Sequence, residues 1–74
     1  MTSNIKFTLK TAREINGLTQ DAAAKKIGVS TDTLGNYERG KTYPDIPTLK
    51  RIEEIYGVSY NQIIFLPWNY GLTV

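Results

Sequence analysis

Between Leu18 and Gly40 the chain carries two short helix patterns separated by a tight turn, and this spacing constrains the fold more than any other feature. Thr19 is placed to cap the first helix (about 20–27), Gly28 to allow the turn, Ser30 to cap the second (about 31–39), and Gly40 to end it. Leu18, Ala24, Ile27, Val29, Leu34 and Tyr37 have the spacing that locks two helices at a steep angle. The face of the second helix that holds Thr31, Asp32, Gly35, Asn36 and Arg39 then has nothing apolar to bury. A small polar helix face held out by a rigid partner suits the DNA major groove, so the segment reads as a helix-turn-helix.

The flanking sequence adds three more helix patterns, giving an all-α fold of five helices. One runs from about Thr8 to Asn16 and ends at Gly17. Another follows Pro44, with Asp45 as cap, Pro47 in the first turn and Leu49, Ile52 and Ile55 as its buried row, and Gly57 stops it. The last starts at Ser59, where Ser59 and Gln62 match a capping box, and continues through Ile63, Ile64 and Phe65 towards Pro67.

With 74 residues the chain affords one core of marginal size, in a range where oligomerisation often adds support. It has no cysteine, no apolar run approaching a membrane span, and no signal-peptide pattern at Met1–Lys6, so the expectation is a cytoplasmic protein with no membrane partner. Net charge is only +2, yet seven of the nine bases and four of the seven acids lie before residue 42, so the helix-turn-helix side is the positive one. That distribution favours a polyanion weakly.

The sequence resembles the Cro-type and lambdoid-repressor helix-turn-helix family, also called the XRE family. The resemblance rests on Leu9-Lys10-Thr11-Ala12-Arg13-Glu14, Gly17-Leu18-Thr19-Gln20, Ile27-Gly28-Val29-Ser30, Leu34, Tyr37-Glu38-Arg39-Gly40-Lys41, Pro44 and Tyr56-Gly57-Val58-Ser59, and covers roughly residues 5–65. It implies a five-helix lambda-repressor-like domain that binds double-stranded DNA, usually as a homodimer, and regulates transcription. Two positions depart from the family pattern: Ala23 replaces a larger apolar residue, and Gly35 interrupts the recognition helix. Glycine costs about 1 kcal/mol against alanine in a helix interior. Either close approach to DNA or simple tolerance in a packed helix accounts for Gly35.

The resemblance also implies residue roles. Thr31, Asp32, Thr33 and Asn36 stand where family members touch base edges. The Asn36 amide suits adenine N6 and N7 together, while Asp32 suits either cytosine N4 or the positive end of its own helix. Gln20 matches the family glutamine that clamps a phosphate while bracing the recognition helix, and Arg39, Lys41 and Thr42 stand where the backbone phosphates pass. Arg13 and Glu38 match a family ion pair at the core edge, a structural feature rather than a site.

From Ile63 to Val74, eight of twelve residues are apolar or aromatic and none is charged. Such a segment needs a cover. Residues 1–66 therefore read as the DNA-binding domain and 67–74 as an apolar tail, with Ile64, Phe65 and Trp68 as candidate dimer-interface residues. Related regulators sometimes pair a short strand here with the N-terminus, and Asn4-Ile5-Lys6-Phe7 has the alternation for one.

Catalysis has no support: there is no histidine or cysteine, the acids are scattered, and Ser30 and Ser59 serve as caps, so no catalytic residue, metal site or cofactor is expected. Two readings remain. One is a dimeric, sequence-specific regulator such as a prophage repressor or Cro-like switch protein. The other is a protein-interaction module of antirepressor or antitoxin type that uses the apolar tail to bind a protein partner.

Overall fold

Four side-chain oxygens start the four α-helices. In the computed structural model, which describes residues 5–65, Thr8 caps α1 (Leu9–Ile15), Thr19 caps α2 (Gln20–Ile27), Ser30 caps α3 (Thr31–Arg39) and Asp45 caps α4 (Ile46–Tyr56). Each oxygen accepts the backbone N–H three residues on, filling an orphan donor of the first turn at a gain of about 1 kcal/mol. At Asp45 the bonds from Thr48 hold the carboxyl below the usual carboxylate range. Gly28 (φ 92°) and Gly40 (φ 78°) end α2 and α3 in the left-handed region, where a Cβ would be strained.

The capped helices bury one apolar row each. Leu9, Ile27, Leu34 and Ile52, one from each helix, are the largest fully buried side chains. Ala23 and Ala24 are buried to within 1 % and make the wall of α2 that faces this cluster. Ala23, smaller than the family pattern leads one to expect, thus serves as core and leaves space for its neighbours.

Polar bonds fix the helices to one another. The Asn16 amide donates to the carbonyls of both Ala12 and Tyr56, each at 2.8 Å, tying the end of α1 to the end of α4. Arg51 on α4 donates through Nε to the Ile27 carbonyl at 2.7 Å, placing a cation at the negative end of α2. Among the described residues no helix is long and apolar enough to cross a membrane.

The C-terminal region corrects the expectation of a fifth helix. After Gly57 the chain makes only a 3-10 turn, Tyr60–Gln62, and then a strand, Ile63–Ile64, that pairs in parallel with Phe7–Thr8. We number these strands β1 (Phe7–Thr8) and β2 (Ile63–Ile64), with Phe7 opposite Ile63 and Thr8 opposite Ile64. The local start signal is present: the Gln62 side chain accepts the Ser59 N–H at 3.0 Å. Two consecutive β-branched residues and a proline four positions after Ile63 then oppose continuation, and the open edge of β1 offers paired backbone bonds. Of the strand expected at Asn4–Phe7, Asn4 lies outside the described residues, and the strand found is Phe7–Thr8.

Tyr56 is 2 % exposed, and its hydroxyl has no hydrogen-bond partner among the described residues. Burial pushes its pKa up to about 12. The folded state keeps this proton after the unfolded chain has lost it near pH 10, so stability falls between pH 10 and about 12. Tyr56→Phe removes the unpaired hydroxyl. The variant is expected to match or exceed wild type at pH 7 and to lose about 2 kcal/mol less over that alkaline interval, as read by urea denaturation at a series of pH values.

Candidate nucleic-acid interface

The orientation of α3 is set by one buried ion pair. Arg13 on α1 donates through Nε to Glu38 Oε2 at 2.7 Å and through Nη2 to Oε1 at 3.3 Å, while its Nη1 reaches the Leu18 carbonyl at 2.9 Å. Gln20, the first residue of α2, donates to the same Glu38 Oε1 at 3.0 Å. Both charged side chains are at most 10 % exposed. The hydrogen bond to Glu38 raises the Arg13 pKa further, so the guanidinium stays charged throughout. Three segments therefore converge on the last turn of α3: α1, the loop after it, and the start of α2.

The polar face of α3 is turned away from the core. Asp32 is exposed, and Thr31, Thr33 and Asn36 are half-buried. Three of these four already have a side-chain partner. Thr31 donates its hydroxyl to Asp21 on α2, and Thr33 accepts from the Ser30 hydroxyl at 2.9 Å while its own N–H donates to that oxygen. The Thr31–Asp21 bond braces the start of α3 against α2, and the Ser30–Thr33 bonds close its first turn. Asn36, one turn on, accepts at its amide oxygen from Arg39.

The phosphate-binding candidates surround this face. Gln20 serves the bracing half of its expected role through Glu38. The Lys41 N–H bonds to the Asn36 carbonyl at 2.9 Å and that of Thr42 to the same oxygen at 3.4 Å, so the chain leaves α3 in a fixed direction. A cleft of about 390 Å³ is lined by Lys10, Arg13, Gln20, Gly35, Glu38 and Arg39. Lys10 was not singled out from sequence as a contact; its only signal was a place in the resembling first-helix segment. Gly35 leaves room for two of these side chains to lie against the helix. A Cβ there would stand 3.2 Å from Arg39 Nη1 and 3.6 Å from Gln20 Nε2.

Of the dimer candidates, Ile64 is 41 % exposed on β2. Phe65 instead packs partly against the core, with its ring 5.9 Å from Tyr43 and 6.2 Å from Tyr60. Trp68, and the tail 67–74 with it, lies outside the described residues. Among the described residues no cluster of acidic, histidine or cysteine side chains suits a metal ion.

Comparison with known proteins agrees with this architecture. Residues 9–63 match the family described as Helix-turn-helix. The chain is 39 % identical over 56 residues to the HTH-type transcriptional regulator ImmR of Bacillus subtilis, covering 76 % of this chain and 44 % of that protein. An uncharacterized HTH-type transcriptional regulator of Methanocaldococcus jannaschii is 37 % identical over 59 residues, covering 80 % and 89 %. The SPbeta prophage-derived uncharacterized HTH-type transcriptional regulator YonR of Bacillus subtilis is 39 % identical over 51 residues, covering 69 % and 47 %. The chain thus spans about half the length of ImmR and YonR, and most of the archaeal relative.

Proposed function

The chain belongs to the helix-turn-helix family, and from that premise we propose that it is a sequence-specific transcription regulator, acting on DNA rather than as an enzyme. Its α3 enters the major groove, with Asn36 and Asp32 towards base edges and Gln20, Lys10, Lys41 and Thr42 towards phosphates. The observation that carries this reading is the Arg13–Glu38–Gln20 network, which holds a polar, partly exposed helix face at a fixed angle to α2. The names of ImmR, YonR and the archaeal relative support regulation of transcription, and the prophage origin of YonR supports a phage-related repressor.

The regulator binds a palindromic operator as a homodimer in this account. One helix-turn-helix reads too few base pairs to compete against genomic sites, and two units on a two-fold axis double the contacts. Exposed Ile64, next to the uncharged segment that follows Phe65, supports an interface at this end.

A second reading, a protein-interaction module, draws on an apolar groove of about 250 Å³ lined by Tyr43, Pro44, Ile46, Leu49, Tyr60 and Phe65. The test that separates the two is whether the protein enriches a palindrome from a random DNA pool, and whether Asn36→Ala weakens that site more than a scrambled duplex.

A further inference from the structure

Asn36 and Arg39 lie one turn apart on the same side of α3, and their side chains are joined. Arg39 Nη2 donates to Asn36 Oδ1, and Arg39 Nη1 lies 3.2 Å from where a Cβ on residue 35 would stand. The guanidinium is thus folded back along the helix over the bare backbone of Gly35, rather than extended beyond Gly40. The bond also fixes the amide orientation. An arginine has donors only, so only the amide oxygen can face it, and the Asn36 NH2 group turns the other way.

The orientation changes what the pair can read. A lone asparagine matches adenine by accepting from N6 and donating to N7. Here Arg39 takes one lone pair of that acceptor, while the Asn36 NH2 and the other guanidinium N–H groups remain, so the pair offers more donors than acceptors. Guanine is the base whose major-groove edge presents two acceptors, N7 and O6. We propose that Asn36 and Arg39 form one donor-rich reading unit, seated by Gly35, that selects guanine in each half-site. Arg39 then belongs with the base-reading residues rather than with the phosphate contacts. This inference rests on the proposed DNA-reading role of α3.

The test uses a duplex recovered by selection from a random pool. The relevant position is the one whose preference disappears in Asn36→Ala. Wild-type protein is expected to prefer guanine there over adenine by about tenfold, and to lose most of that preference when 7-deazaguanine removes the N7 acceptor. That arm needs no altered protein. Arg39→Met, with its helical circular dichroism unchanged, frees the Asn36 oxygen and is expected to reverse the preference to adenine, while affinity for scrambled DNA falls only as one lost charge dictates. Adenine preferred by wild type, or a guanine preference that survives Arg39→Met, would overturn the paired unit while leaving the DNA-reading account in place. A pool that yields no enriched sequence would overturn both.

Discussion

Arg13→Met is expected to destabilise the protein by about 3–5 kcal/mol, because it leaves the Glu38 carboxylate buried without its cation. The Glu38 side chain is 6 % exposed, and only the Gln20 amide would remain to meet it. The Leu18 carbonyl loses its donor as well. A domain of this length has a total stability of roughly 4–11 kcal/mol, so the single change removes a large share of it. Replacing both partners, Arg13→Met with Glu38→Leu, leaves no stranded charge and is expected to cost less than either single change. Urea denaturation of the four proteins in a double-mutant cycle measures the coupling. Single costs that simply add would show that the pair does not hold α3.

Ile64→Glu carries the largest expected effect on binding. The side chain is 41 % exposed and lies outside the buried core, so the charge is expected to leave the fold intact. At the proposed two-fold interface, however, it brings two carboxylates together in an apolar setting. The expected product is a folded monomer whose affinity for a full operator falls about 100-fold or more, with affinity for an isolated half-site unchanged. Sedimentation at tens of micromolar, beside operator titration, reads both. A variant that remains dimeric and binds the operator tightly would place the interface elsewhere.

The helix pair was legible because its signals are local. Thr19, Ser30 and Asp45 cap what they are placed to cap, and Gly28 and Gly40 end the helices that precede them. The Arg13–Glu38 pair spans 25 positions and became visible through the resemblance alone. The supposed fifth helix shows the opposite case. Its capping box is genuine local chemistry, but Ile63 and Ile64 find a partner at Phe7–Thr8, more than 50 positions earlier, which no local pattern announces. Gly35 posed a choice between approach to DNA and tolerance. In the structure a Cβ there would crowd the Arg39 guanidinium as it is placed, a contact that depends on rotamers that spacing does not encode. The two bonds of Asn16 and the unpaired Tyr56 hydroxyl were equally hidden, since both depend on where α1 meets α4.

In the proposed function α3 reads sequence while its surroundings hold phosphates. The most direct measurement of that division is a titration of wild type, Asn36→Ala and Lys41→Ala against the selected operator and a scrambled duplex over a range of salt concentrations. Asn36→Ala is expected to lose about 1–3 kcal/mol on the operator and almost nothing on the scrambled duplex. Lys41→Ala is expected to weaken both equally and to lower the salt slope by about 1. Equal losses on operator and scrambled DNA for Asn36→Ala would contradict the base-reading role of α3.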